Sequence, residues 1–185
     1  DGFVAMGQDI TEQKQEEIRL QQLSQRDPLT GLLNRAGFEA QVERVLEAGE
    51  CDALALLYID LDRFKPINDN HGHSVGDQVL RLFAQRLLRL VRPTDTVARL
   101  GGDEFAVMLP GVRERAHANR VADKIIAVAH APFEVGAQLL FIGASVGIAF
   151  GVDPDTGWGD LLDRADAQLY RAKAAGRGRT AGSTD

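Results

Sequence analysis

From Arg26 onward, apolar positions recur with two different spacings that predict an alternation of helices and strands. Asn34 can cap a helix on which Phe38, Val42, Val45 and Leu46 return at helical intervals, and Gly49 ends it. Ala53–Ile59 is a continuous apolar run, the pattern of a strand buried on both faces. The polar, Gly-bearing stretch after it reads as a loop. Gly76–Val91 is amphipathic through Val79, Leu82, Phe83, Leu87 and Leu90, and Pro93 stands beyond its end. Thr96–Leu100 and Phe105–Leu109 flank Gly101-Gly102-Asp103-Glu104, which predicts a β-hairpin with a tight glycine turn. Arg113–Ala131 predicts a third helix, striped by Val121, Ile125 and Val128 and stopped by Pro132. Short strands are expected near Phe133–Val135, Leu139–Ile142 and Ser145–Phe150, then a last helix over Asp160–Ala175 that Gly176 caps. Two hairpins interrupt the rhythm. The expected class is therefore α/β (α+β), with a central mixed sheet flanked by helices rather than a doubly wound parallel one.

The first 25 residues read differently. Asp1–Gln8 is too short to fold alone. Asp9 and Glu12 have the spacing of a capping box, and Thr11–Gln25 is polar with Ile18, Leu20 and Leu23 as its apolar positions. A lone helix of that length is marginal in water, so it is either a solvated linker or a dimer-forming coil. Residues 9–25 are expected as that helix, 26–180 as the domain and 181–185 as a tail.

Composition narrows the classes. With 185 residues, 44% hydrophobic and 26% charged, the chain can bury a core without disulfide or metal staples, which excludes disordered and disulfide-scaffold classes. Its apolar stretches fall far short of the ~20 residues of a membrane span, so direct membrane contact is not expected. Cys51 is the only cysteine, so no intrachain disulfide forms and a cytoplasmic location is expected. The net charge of −6 argues against nucleic-acid backbone binding, but not against a small phosphorylated ligand held by a metal and a few cations.

Asp60 follows the buried run, and Asp62 would share its face if the strand continued. If the strand stops at Ile59, both acids are simply solvated. Asp103-Glu104 sits at a hairpin tip, where Gly101 and Gly102 let a ligand approach the backbone. Carboxylates at a strand end and on a neighbouring hairpin can converge on Mg²⁺, which prefers oxygen. His71, His73, His117 and His130 lack zinc spacing with Cys51. Lys65 suits a phosphate. Asn68 and Asp77 offer the donor and acceptors that guanine's edge needs, though each also reads as a turn former or a helix N-terminal acid. Arg171, Lys173, Arg177 and Arg179 form a basic run, either a fraying tail or, through Lys173 and Arg177 four residues apart, a clamp for distal phosphates.

Arg26-Asp27-Pro28-Leu29-Thr30-Gly31-Leu32-Leu33-Asn34-Arg35, the Asp60–Asp77 segment, Gly101-Gly102-Asp103-Glu104-Phe105 and Ala165-Asp166…Tyr170-Arg171-Ala172-Lys173…Gly176-Arg177 resemble the GGDEF family of diguanylate cyclases, over roughly Arg26–Arg179. The resemblance implies a palm-like nucleotide-cyclase fold whose hairpin carries the signature. It further implies condensation of two GTP into cyclic di-GMP with release of pyrophosphate, by a homodimer. On that basis Asp60, Asp103 and the Leu61 carbonyl hold Mg²⁺, with Mn²⁺ as a substitute, and Asp103 or Glu104 assists deprotonation of the attacking hydroxyl. Lys65 stabilises phosphate charge, Asn68 and Asp77 read guanine, and Lys173 with Arg177 hold the outer phosphates. Arg92-Pro93-Thr94-Asp95 stands where the family has its product-inhibition Arg-x-x-Asp. By the same resemblance Lys124 stands for the family's second arginine, with Arg120 nearby as the other candidate; lysine lacks the planar fork, so feedback binding is expected to be weaker. Residues Gly2–Lys14 resemble the end of a PAS sensor domain, making an upstream sensor the expected partner. The intact signature favours an enzyme over the alternatives, a non-catalytic module binding GTP or cyclic di-GMP and another nucleotidyl cyclase on the same palm.

Overall fold

A strand that is apolar on both faces must be covered on both faces, and Ala53–Ile59 dictates the layering on that account. In the computed structural model, which describes residues 25–49, 53–151 and 157–182, β1 (Leu54–Asp62) is the middle strand of a five-stranded sheet. Around it the chain runs α1 (Arg35–Glu47), β1, α2 (Phe64–His71), α3 (His73–Leu90), β2 (Thr96–Gly101) and β3 (Glu104–Pro110). It continues through α4 (Arg115–His130), β4 (Phe133–Val135), β5 (Gln138–Leu140), β6 (Gly143–Phe150), α5 (Trp158–Ala174) and β7 (Thr180–Gly182). The strand order is β2-β3-β1-β6-β7, with β1 antiparallel to both neighbours and β7 parallel to β6; β4 and β5 form a separate hairpin. The mixed sheet and two hairpins agree with the pattern.

The period of two along β1 divides the core. Ala55, Leu57, Ile59 and Leu61 pack with Val79, Phe83 and Leu87 of α3 and Ala122 and Ile125 of α4. Leu54, Leu56 and Tyr58 pack with Phe38 and Val42 of α1 and Trp158, Leu161, Ala165 and Leu169 of α5. The second face ends in Asp60 and Asp62, so the alternation that buries the strand also delivers both carboxylates to one side of its end. Among the described residues, no helix is long and apolar enough to cross a membrane.

Local chemistry accounts for most boundaries. Asn34 caps α1 by accepting from the Gly37 amide at 3.0 Å. The segment after Ile59 departs from the expected loop. It contains the last residues of β1, Asp60–Asp62, and then helix α2, and α3 begins at His73, before the expected Gly76. Only Phe64 and Ile67 are buried in α2, too few apolar positions to announce a helix. Gly72, at φ 86, breaks the two helices apart. β7 was also not legible: Thr-Ala-Gly has no apolar signal, and its order comes from pairing with Val146–Ile148. The expected helix over 9–25 and the PAS-like residues lie, apart from Gln25, outside the described residues.

Candidate active site

β1 and β3 bring the acids together. Asp60 stands directly opposite Glu104 in the ladder, and the Leu61 amide donates to the Asp103 carbonyl at 3.2 Å. Because β1 continues through Asp62, the reading in which both acids are solvated past Ile59 is set aside; Asp62 is only 6% exposed. The two carboxylates nevertheless do different things. Asp62 accepts from the Ser145 hydroxyl at 2.8 Å and from the Gly178 amide at 3.0 Å, which clips the segment after α5 to the sheet. Among the described residues Asp60 pairs instead with the Lys173 ammonium at 2.8 Å.

The hairpin tip is built by glycine and fixed by arginine. Gly101 (φ 154) and Gly102 (φ 49) turn the chain, with a register shift between Arg99 and Gly101. The Arg99 guanidinium donates twice to the Gly102 carbonyl, at 2.9 and 2.8 Å, and pairs with Asp27 at 2.9 Å. Burial alone would raise the Asp27 carboxyl, but the Thr30 hydroxyl and amide, with Arg99, hold it below the ordinary range. Sequence reasoning used neither Asp27 nor Arg99 as a site residue. The available signal was a lone charge inside the Thr96–Leu100 strand pattern.

Burial, then the charge of Asp60 and more weakly that of Glu104, push the Asp103 carboxyl up; Lys173 opposes the rise. Crowded carboxylates of this kind call for a cation. Among the described residues, no three carboxylate, imidazole or thiol side chains form a metal-holding group. Asp60 and Asp103 are two acidic donors, and the Leu61 carbonyl lies in the same strand end, an all-oxygen set suited to a hard ion.

Lys65, Asn68 and Asp77, the residues expected to meet a nucleotide, come from the α2–α3 corner. Lys65 is exposed in the first turn of α2. Asn68 and Asp77 are both half-buried, and Asn68 lies against Gly76: a Cβ there would stand 1.9 Å from its Oδ1. Gly76 thus makes the space that the Asn68 side chain occupies. Arg177 follows α5 with a left-handed backbone, φ 62, and its Nε lies 3.9 Å from Asp62. A cleft of about 440 Å³ beside it is lined by Arg63, His130, Phe141 and Arg177, of which only Arg177 is an expected site residue.

The family model described as "Diguanylate cyclase, GGDEF domain" matches residues 24–179. The chain belongs to this family. The GGDEF domain is 39% identical over 181 residues to a probable diguanylate cyclase, DgcE, of Escherichia coli, covering 96% of this chain and 16% of that protein. It is 44% identical over 155 residues to diguanylate cyclase TpbB of Pseudomonas aeruginosa, covering 82% of this chain and 36% of the relative. The chain therefore spans a minor part of the curated relatives it matches. Among solved structures, the coiled coil and GGDEF domain of DgcB from Caulobacter crescentus, in complex with c-di-GMP, superposes with a TM-score of 0.83 at 28% identity, over 94% of this chain and 93% of that one.

The remaining expected residues of the GGDEF domain lie outside this cluster. The Arg92 amide donates to the Asp95 carboxylate at 2.8 Å and the Asp95 amide to the Arg92 carbonyl at 3.0 Å, a closed turn that leaves the Arg92 guanidinium exposed. Lys124 is on α4, in a groove of about 400 Å³ with Arg86, Arg89, Leu90, Ala127 and Val128. Arg92 and Asp95 do not line that groove.

Proposed function

We propose that this GGDEF domain condenses two GTP into cyclic di-GMP, each of two copies of the chain holding one nucleotide. The 3′-hydroxyl of each GTP attacks the α-phosphorus of the other; two phosphodiester bonds form, two pyrophosphates leave, and the hydroxyl protons pass to carboxylate or water. The observation that carries this reading is the pairing of Asp60 with Glu104 beside a charge-crowded Asp103, with Lys173 already drawn onto Asp60. Asp60, Asp103 and the Leu61 carbonyl would hold Mg²⁺, which when bound neutralises the phosphates and polarises the α-phosphorus. Lys65 stabilises phosphate charge, Lys173 and Arg177 hold the outer phosphates, and Asn68 and Asp77 select guanine. Asp103 or Glu104 assists the deprotonation.

Incubation with GTP and Mg²⁺ followed by chromatography tests the reaction. Cyclic di-GMP is the expected product, with specific activity that rises with protein concentration and rises further when a parallel coiled coil is fused before Thr11. Rate per chain independent of concentration in a proven monomer contradicts the two-copy scheme.

The product is also proposed to bind at Arg92 and Asp95, where a guanidinium can donate two parallel bonds and a carboxylate can accept from guanine. Lys124 makes that affinity modest, so Lys124→Arg should tighten it in calorimetry. Binding unchanged in an Arg92→Ala, Asp95→Ala double variant places the product elsewhere.

A further inference from the structure

Tyr58 lies two residues before Asp60 on β1 and faces the same side of the sheet. It is 5% exposed, among Phe38, Trp158, Leu161 and Leu169. A phenol so placed needs a partner for its hydroxyl. The ladder supplies one. Asp60 lies opposite Glu104 and Tyr58 opposite Ala106, so Glu104 is the diagonal neighbour of Tyr58 on the same face, a distance that long side chains span. The two side chains lie close enough for the Glu104 carboxylate to act on the Tyr58 hydroxyl, with Arg35 of α1 and Asp166 of α5 acting on the same group.

We propose that Tyr58 is a positioning residue, whose hydroxyl ties the Glu104 carboxylate to β1 and fixes which of its oxygens faces the reacting edge beside Asp60. A carboxylate on the first residue of a strand, next to a glycine turn, otherwise has several rotamers available. Holding one of them favours the arrangement needed when the 3′-hydroxyl loses its proton. The inference rests on the cyclase reading above and adds to it the residue that orders half of the acidic pair. The aromatic ring fills the α1–α5 side of the core in any case; the hydroxyl is what the proposal concerns.

The test is a cycle of four proteins, each with all 185 residues: parent, Tyr58→Phe, Glu104→Gln and the double variant. Tyr58→Phe is expected to lower kcat about tenfold with KM for GTP unchanged within about twofold. Affinity for 3′-deoxy-GTP with Mg²⁺, which cannot turn over, should stay equal by calorimetry. The double variant should be no slower than Glu104→Gln alone, because the hydroxyl acts only through that carboxylate. Melting temperatures of the four proteins report the contact without turnover, and non-additive shifts are expected. Full kcat in Tyr58→Phe, a matching loss of 3′-deoxy-GTP affinity, multiplicative rate losses or additive melting shifts each overturn the proposal. A parent that makes no cyclic di-GMP defeats the cyclase reading and this proposal with it, whereas an active parent with an unimpaired Tyr58→Phe defeats the proposal alone.

Discussion

Asp60→Asn and Asp103→Asn should each reduce cyclic di-GMP synthesis to below about a tenth of the parent rate while the chain stays folded. Each exchange keeps side-chain volume and removes a negative oxygen donor. Asp60 is 15% exposed at its side chain and carries Lys173 at 2.8 Å, and Asp103 is half-buried, so neither residue is a free surface acid. Retention of more than a tenth of the rate in either variant would rule out this metal assignment. The same Asp103 substitution has an opposite effect on stability. A carboxyl whose folded-state pKa is raised contributes stability below its unfolded value and loses it as the pH rises through the folded one. Burial and the charge of Asp60 raise Asp103, so at neutral pH its ionised form costs the fold. Without Mg²⁺ at pH 7, Asp103→Asn should melt higher than the parent, and the difference should close as the pH falls towards 3.8, the unperturbed value. An inactive variant that is also more stable would separate a functional acid from a structural one.

Gly147→Ala is the substitution expected to damage the fold most. Gly147 lies on β6 under α5, and a Cβ there would stand 2.1 Å from the Ala165 carbonyl oxygen and 2.3 Å from the Leu169 nitrogen. Both obstacles are helix backbone, so no rotamer change relieves them. The helix must lift from the sheet, taking Trp158, Leu161 and Leu169 out of their contacts. A loss of about 3 kcal/mol is expected, a fall in Tm on the order of 10 °C for a domain of this size. Gly159, in α5 with nothing within 4 Å of its Cβ position, supplies the control, and Gly159→Ala should be neutral or mildly stabilising. Equal melting of the parent and Gly147→Ala would refute the close helix–strand approach.

What could be read from the chain follows the strength of the local signal. β1 and the β2–β3 hairpin were legible because a long apolar run and a double glycine each have few structural meanings. The acidic pair was legible for the same reason: carboxylates are costly next to buried strands. Asp62 was ambiguous, since its spacing from Asp60 fits a second ligand; only the Ser145 hydroxyl and Gly178 amide, distant in sequence, show that it holds the backbone instead. Helix α2 was hidden by its shortness, Arg99 by a role that depends on Asp27, and Tyr58 by belonging to an apolar run whose other members have no polar atom to place.

The parallel pairing of β7 with β6 sets where this unit can be joined to other machinery. Residues 176–179 are tethered twice, by Asp62 at Gly178 and by the ladder at Thr180–Gly182, with the Val146 amide bonded to the Arg179 carbonyl at 3.0 Å. A truncation after Ala175 would keep the last helix entire yet remove Arg177 together with the strand that anchors it. A fusion made after Gly182 would instead pull along a sheet edge, loading hydrogen bonds in shear while the loop that carries Arg177 stays seated. For modular engineering, the usable C-terminal junction is therefore the end of a strand, several residues past the last residue with any apparent chemistry.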